Sequence, residues 1–98
     1  MALENQPNYR LAHYHLARIL VSRGNLTDAI THLQKTLAPE DENTPRFVYA
    51  LAAVYARAGD RKRGLHYFQE ARTRAAAAGQ TQLLGQIERD LQRLEKLN

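Results

Sequence analysis

The chain matches itself when it is shifted by 35 residues, and this internal repeat constrains its fold more than any other feature. Helix patterning alone brings leucines and alanines into register, but it does not also align two glycine turns and a small residue in mid-helix. A period of this length is typical of arrays built from one repeated supersecondary unit. The aligned positions are Tyr14 with Tyr49, Leu16 and Ala17 with Leu51 and Ala52, Ile19 with Val54, Gly24 with Gly59, and Leu33 with Phe68.

Small residues recur where the two helices of one unit are expected to cross. Ala17 and Ala52 each follow a leucine that we place on the inner face of its helix. An alanine side chain lets the returning helix approach to the usual interaxial distance of about 8–10 Å. Ala29 and Gly64, near the start of each return helix, supply the other half of this contact. The sequence therefore predicts helix pairs that interlock through small residues.

Apolar residues recur three and four positions apart, which is the pattern of amphipathic helices. Gly24, Gly59 and Gly79 are predicted to end three of the helices, because glycine adopts the left-handed conformation that commonly follows a helix. Asn25 and Thr44 are the expected N-caps of the helices that follow them. No window alternates with period two, so we predict an all-α fold with short connections between antiparallel neighbours. The five helices are expected near residues 8–23, 26–38, 45–58, 61–78 and 81–97.

Both units resemble the tetratricopeptide repeat, a helix-turn-helix of about 34 residues with the pattern W-x2-L-G-x2-Y, A-x3-F and a closing proline. Neither unit has the tryptophan, the closing prolines are displaced or missing, and the spacing is 35. The resemblance covers about residues 10–78, and it implies an all-α, right-handed superhelical array of antiparallel helix pairs. The matching residues are His13, Leu16, Ala17, Leu20, Gly24, Ala29 and Leu33 in the first unit, and Val48, Leu51, Ala52, Tyr55, Gly59, Gly64 and Phe68 in the second.

The resemblance also implies how the single domain, residues 1–98, is divided. Ala2 and Leu3, followed by Pro7, are similar to the end of a preceding repeat. A repeat array needs a polar outer face on its last unit, and the final helix has one apolar stripe with charged residues between its members. The chain is therefore interpreted as the C-terminal piece of a longer array. Its parts are residues 1–7, a repeat remnant; 8–43, repeat 1; 44–79, repeat 2; and 80–98, a capping helix.

Residues that carry enzyme chemistry are missing or scattered. The chain has no cysteine, which excludes a thiolate metal site and a cysteine nucleophile. His13 and His15 point to different faces of a helix, whereas His66 and Glu70 share a face without a third ligand. Ser22 is the only serine, and the glycines form no phosphate loop. We therefore predict no catalytic residue, no metal site and no cofactor, and the chain is not expected to be an enzyme.

In the family that the chain resembles, the first helices of successive repeats line a concave groove that holds an extended peptide or a partner's helix. Tyrosine and arginine dominate binding hot spots because they combine a large contact area with directed hydrogen bonds. The resemblance thus implies a scaffold for a protein or peptide partner, with no small-molecule substrate. Tyr14 and Tyr49 have an alternative interpretation as half-buried spacers between helices. The implied partner-binding residues are Leu11, Tyr14, Arg18, Val21, Arg46, Tyr49, Ala53 and Arg57.

The formal charge of +4 arises entirely in the second half of the chain, mostly between Arg57 and Arg74. This basic stretch is either a solvated helix face or a site for an acidic peptide or a nucleic acid. Pentatricopeptide repeats, which bind single-stranded RNA, have a similar period, but two repeats would read only about two bases. Nucleic acid is therefore the less favoured partner. Self-association through the final helix or the N-terminal face is the other alternative to a monomer.

No apolar run approaches the roughly 18–20 residues of a membrane span. The first seven residues lack the basic and apolar regions of a signal peptide. No membrane partner is expected, and the compartment stays open with the cytoplasm as the default.

Overall fold

A computed structural model describes residues 9–38 and 40–96, and most of them lie in five α-helices. The helices are α1 Tyr9–Ser22, α2 Leu26–Gln34, α3 Thr44–Arg57, α4 Arg61–Ala77 and α5 Thr81–Lys96. No β-strand occurs in this part of the chain, which confirms the predicted all-α class. None of the five helices combines the length and the apolarity needed to cross a membrane. The predicted repeat remnant, residues 1–7, lies outside the described residues.

The same hydrogen-bonded turn ends α1, α3 and α4. Gly24, Gly59 and Gly79 have positive φ angles of 81°, 88° and 70°. This is the Schellman motif, which favours glycine because a Cβ is strained at such φ values. The predicted ends of these three helices are therefore confirmed. In each turn the N–H after the glycine donates to a carbonyl five residues earlier: Asn25 to Leu20 at 2.8 Å, Asp60 to Tyr55 at 2.9 Å, and Gln80 to Ala75 at 2.9 Å.

Helix α2 is shorter than predicted, because it ends at Gln34 and not near residue 38. The backbone N–H groups of residues 35–37 donate to carbonyls only three positions back, so the chain tightens into a narrower turn. The hydroxyl of Thr36, which is buried, donates to the carbonyl of Leu33 at 2.5 Å. A buried hydroxyl needs such a partner, and this one fixes the end of the helix.

Helix α3 begins one residue earlier than predicted. Its N-cap is Asn43, whereas the sequence predicted Thr44 in that role. The Thr44 hydroxyl instead accepts a hydrogen bond from the backbone N–H of Asp41 at 2.8 Å. The hydroxyl therefore orders the linker in front of the helix, and Pro45 lies in the first turn as expected.

Contacts between helix ends show that α3 runs antiparallel to α4, and α4 antiparallel to α5. The side chain of Gln80, after α4, donates to the carbonyl of Glu42, before α3, at 2.8 Å. Arg61, at the start of α4, donates to the carbonyl of Leu94, near the end of α5, at 3.3 Å. Helix α1 packs on α2, and α2 packs on α3. Two helix pairs therefore lie side by side, with α5 against the second pair.

The small residues predicted at the helix crossings lie where the helices touch. Ala17, Ala29 and Ala52 are buried, and so is Gly64. A Cβ added to Gly64 would lie 3.3 Å from the backbone of Ala56, so α3 and α4 leave little room for a side chain there. Ala56 itself is half-buried against Gly64.

The core consists of two clusters that meet at α3. Phe47, which the sequence analysis did not assign to the core, is fully buried. The predicted apolar stripe of α5 packs into the second cluster, with Leu84 at its edge. The first cluster comprises Ala17, Ala29, Leu33, Leu51, Val54 and Tyr55, and the second comprises Val48, Ala52, Phe68, Ala71, Ala75, Leu83, Ile87, Leu91 and Leu94.

The prediction that both repeat leucines face inward holds only for the second repeat. Leu51 is fully buried, whereas Leu16 is 41% exposed. The next aligned pair differs in the same way, because Val54 is 6% and Ile19 is 50% exposed. The cause is the neighbouring helix: α2 covers this side of α3, and none of the described helices covers the same side of α1.

Candidate functional site

A groove with a volume of about 290 Å³ lies between α1 and α3. Residues three and four apart share one face of a helix, so each helix contributes a short ladder of side chains to one wall. Leu33 of α2 closes the floor. The α1 wall consists of Tyr14, Ala17, Arg18 and Val21, and the α3 wall consists of Arg46, Tyr49, Ala50, Ala53 and Val54.

The structure brings together six of the eight side chains that the resemblance selected. Leu11 and Arg57 do not line the groove. Leu11 is exposed on α1, and Arg57 is exposed in the last turn of α3. The groove thus extends over about two turns of each helix, and these two residues lie beyond its ends. The six that line it are Tyr14, Arg18, Val21, Arg46, Tyr49 and Ala53.

Tyr49 is the most constrained side chain of the groove. Its hydroxyl donates a hydrogen bond to the carboxylate of Asp90 in α5. Its ring lies 5.9 Å from the ring of Phe68, measured between centroids. Burial, and then the hydrogen bond to Asp90, raises the pKa of Tyr49 to about 12. The phenol therefore stays protonated, and it links the groove wall to the last helix.

The ring of Tyr14 packs against two other rings, those of Phe47 and His15. Its ring centroid lies 5.4 Å from that of buried Phe47 and 5.6 Å from that of His15. Both groove tyrosines are half-buried. Each packs part of its ring against a core phenylalanine and leaves the rest in the groove, so packing and lining are combined in one side chain. Rings held in this way lose little conformational freedom when another group packs on them.

Two guanidinium groups, those of Arg18 and Arg46, lie at the groove. Arg18 and Arg46 are exposed, and among the described residues no carboxylate lies within ion-pair distance of either. Arg10, on the same helix as Arg18, pairs with Asp41 and lies over Phe47 instead. The groove therefore combines apolar walls with two available positive charges.

A second depression, polar and about 410 Å³ in volume, adjoins the groove at Arg46. It lies where the linker before α3 meets the turn before α5, and the Gln80–Glu42 hydrogen bond joins these two segments. The depression was not predictable from the helical periodicity, because its residues come from two loops and helix starts that are far apart in the sequence. The helix order could have indicated it: α3 and α5 both run antiparallel to α4, so their first residues lie at the same end of α4. Its lining residues are Glu42, Asn43, Arg46, Gln80, Thr81, Gln82 and Leu83.

His13 and His32 meet between α1 and α2, which the sequence analysis did not predict. Their Nδ1 atoms are 2.8 Å apart, so one ring donates its N–H to the other. Burial lowers the pKa of His13, and the nearby His32 and Lys35 lower it further. Within the described residues no three histidine, cysteine or acidic side chains are arranged to hold a metal ion.

The basic first turn of α4, residues 61–63, is largely engaged in contacts within the chain. Arg63 pairs with Asp60 at 2.8 Å, and the Asp60 carboxylate also accepts the Arg63 backbone N–H as the N-cap of α4. These bonds, first to the backbone and then to the side chain of Arg63, lower the pKa of Asp60. Arg61 donates to the carbonyls of Leu94 and Glu95. Two of the three basic residues at positions 61–63 therefore have structural partners.

Comparison of the chain with models of known protein families and with curated protein sequences gives no match.

Proposed function

We propose that the chain is a non-catalytic protein–protein interaction module of the tetratricopeptide-repeat kind. In this proposal the groove between α1 and α3 is the concave face of the array, and it holds an extended peptide or a helix of a partner protein. The module acts as a scaffold within a larger protein. The observation that carries the proposal is the groove itself, because its apolar walls and two available guanidinium groups are poorly explained by packing alone.

The groove chemistry indicates what kind of segment fits. An apolar side chain between Tyr14, Val21 and Tyr49 would exclude water from both rings. A carboxylate on the same segment would bond to Arg18 or Arg46, and charge-assisted hydrogen bonds are roughly twice as strong as neutral ones. Opposite charge would also speed the encounter, whereas the tyrosine contacts would set how long the complex lasts.

The repeated geometry supports the array. Ala17 and Ala29 are buried in the first pair, and the aligned residues Ala52 and Gly64 are buried in the second, where Gly64 lies against Ala56. The same Schellman turn, at Gly24 and Gly59, joins the two helices of each pair. Units related by one repeated rotation form a superhelix with a concave surface. The right-handed sense of that superhelix is taken from the resemblance.

The engaged basic turn favours a protein partner over a nucleic acid. Binding to nucleic acid needs several basic side chains free to neutralise phosphates. Arg61 and Arg63 are already bonded within the chain, and Arg74 pairs with Glu40 and Glu70.

The experiment that tests the proposal blocks the groove without touching the core. Peptides selected from a phage-displayed random library on the full chain serve as probes, and their affinity is measured by calorimetry. Ala53→Gln fills the groove from an exposed helical position, whereas Ala76→Gln makes the same change on the exposed side of α4. We expect Ala53→Gln to weaken binding about tenfold or more, and Ala76→Gln to leave it unchanged.

A double variant, Tyr14→Ala with Tyr49→Ala, is the more obvious test but a less specific one. It would remove the bond from Tyr49 to Asp90 together with the groove contact. Its melting temperature must therefore be compared with that of the unmodified chain before its binding is interpreted. Selected peptides that bind Ala53→Gln as tightly as the unmodified chain would show that the groove is not the site.

A further inference from the structure

The groove and the polar depression adjoin at one residue, Arg46. Its side chain lines both of them, and it is exposed at their junction. The groove of about 290 Å³ is therefore followed by a depression of about 410 Å³. A segment that lies in the groove has room to continue past Arg46, towards the start of α5.

The depression has the chemistry of a site for a protein main chain. Three carboxamides line it, those of Asn43, Gln80 and Gln82, and a carboxamide both donates and accepts hydrogen bonds. Within the described residues the side chain of Asn43 makes no capping bond to α3, although Asn43 is the N-cap of that helix. Gln80 donates from its nitrogen to the carbonyl of Glu42, so its oxygen is the atom that can accept. These groups match the N–H and C=O groups of a peptide.

A main chain with free hydrogen-bonding groups is an extended one. In a helix, all but the terminal N–H and C=O groups are bonded within the helix and are not available to the carboxamides. An extended segment keeps these groups free at every residue. It spans about 3.3 Å per residue, so about three residues cover the two turns of the groove and the next ones reach the depression. The groove and the depression together therefore favour an extended segment over a helix.

Charge sets the register of the segment. The guanidinium of Arg46 lies at the junction, whereas the carboxylate of Glu42 lines the depression alone. An acidic side chain therefore fits at the junction, because farther inside the depression it would be repelled. Tyr49 lies three positions after Arg46, on the same face of α3. In an extended segment, side chains two positions apart share a face, so an apolar residue on Tyr49 places the second residue along at Arg46.

We propose that the depression is a second subsite of the groove, and that the two together bind one extended segment of a partner protein. The segment has an apolar residue between Tyr14 and Tyr49 and, two positions farther along, an acidic residue at Arg46. Beyond Arg46 its main chain bonds to the carboxamides of Asn43 and Gln82. This inference rests on the function proposed for the groove, and it excludes a helix as the bound segment.

The test uses the tightest peptide that the random library gives on the unmodified full chain. Gln82→Ala removes one carboxamide of the depression, and Gln86→Ala makes the same change one turn later on α5, outside the depression. Both positions are exposed, so both variants stay folded. We expect Gln82→Ala to weaken binding of the peptide about threefold to tenfold, which is the effect of one hydrogen bond, and Gln86→Ala to leave it unchanged.

The acidic contact is tested by a double-variant cycle. Arg46→Gln in the chain, and replacement of the acidic residue of the peptide by its amide, each remove the same ion pair. Either change alone should weaken binding about tenfold, and both together should weaken it no further. Losses that multiply would mean that the acidic residue does not lie at Arg46.

The conformation of the bound peptide is measured by NMR on isotope-labelled peptide, and we expect the carbon chemical shifts of an extended chain. Helical shifts, or equal affinity of Gln82→Ala and the unmodified chain, would overturn the second subsite. The groove would still be the site if Ala53→Gln weakened binding in the same experiment. A library without a binder, or a peptide that binds Ala53→Gln as tightly as the unmodified chain, would contradict the function proposed for the groove and this extension with it.

Discussion

The hydroxyl of Tyr49 in α3 donates to the carboxylate of Asp90 in α5, and this bond links the wall of the groove to the last helix of the chain. The two residues are separated by 41 positions. Helix α5 therefore does more than cover apolar surface: it also fixes the orientation of a side chain in the groove wall. Changes in α5 should reach the groove through this bond.

The first prediction concerns the pH dependence of Tyr49. The pKa of Tyr49 is raised from 10.0 to about 12, so the folded state favours the protonated phenol more than the unfolded state does. This contribution to stability is complete below pH 10 and is lost as the pH rises through about 12. We expect urea midpoints of the unmodified chain to fall across this range more steeply than those of Tyr49→Phe. Parallel curves would contradict the prediction.

The second prediction concerns the stability that the chain loses in acid through His13. The pKa of His13 is lowered from 6.5, so the unfolded state binds its proton more readily. The neutral ring therefore contributes stability above about pH 6.5, and this contribution is lost as the pH falls through the lower folded value. Urea midpoints at pH 7.5 and 5.5 should differ less for His13→Gln than for the unmodified chain. An equal pH difference for His13→Gln and the unmodified chain would contradict the prediction.

The third prediction tests the close crossing of α3 and α4. Ala52 is fully buried, so Ala52→Leu forces extra atoms into a packed interface and should cost about 1–3 kcal/mol of unfolding free energy. Ala53→Leu, at the next and exposed position, is the control and should cost far less. Equal midpoints in urea for the two variants would show that the crossing does not depend on Ala52.

The fourth prediction concerns α5. Ending the chain at residue 80 removes four buried side chains, Leu83, Ile87, Leu91 and Leu94, and uncovers the apolar side of α4. We expect aggregation or loss of a cooperative unfolding transition, measured by light scattering and by circular dichroism during heating. A shortened chain that stays monomeric and melts at the same temperature would mean that α5 is dispensable for the fold.

The helices and their crossings were predictable because each depends on residues that lie close together in the sequence. Glycines at helix ends and alanines at crossings have few other roles, so Gly24, Gly59 and Ala52 were identified correctly. The burial of Leu16 was not predictable from its own helix, because burial depends on whether another helix covers it. The bond from Tyr49 to Asp90 joins distant positions that no local pattern connects, and the same holds for the contact of His13 with His32.

The Schellman turns at Gly24, Gly59 and Gly79 have a consequence for how such a chain can change. Each of these turns is specified by one glycine and by hydrogen bonds between main-chain atoms. The path of the backbone through the turn therefore depends little on the neighbouring side chains. Substitutions along the groove can thus change the shape and charge of its surface while the direction of the next helix stays the same. The glycines that set the direction of the helices and the side chains that line the groove are therefore separate sets of positions.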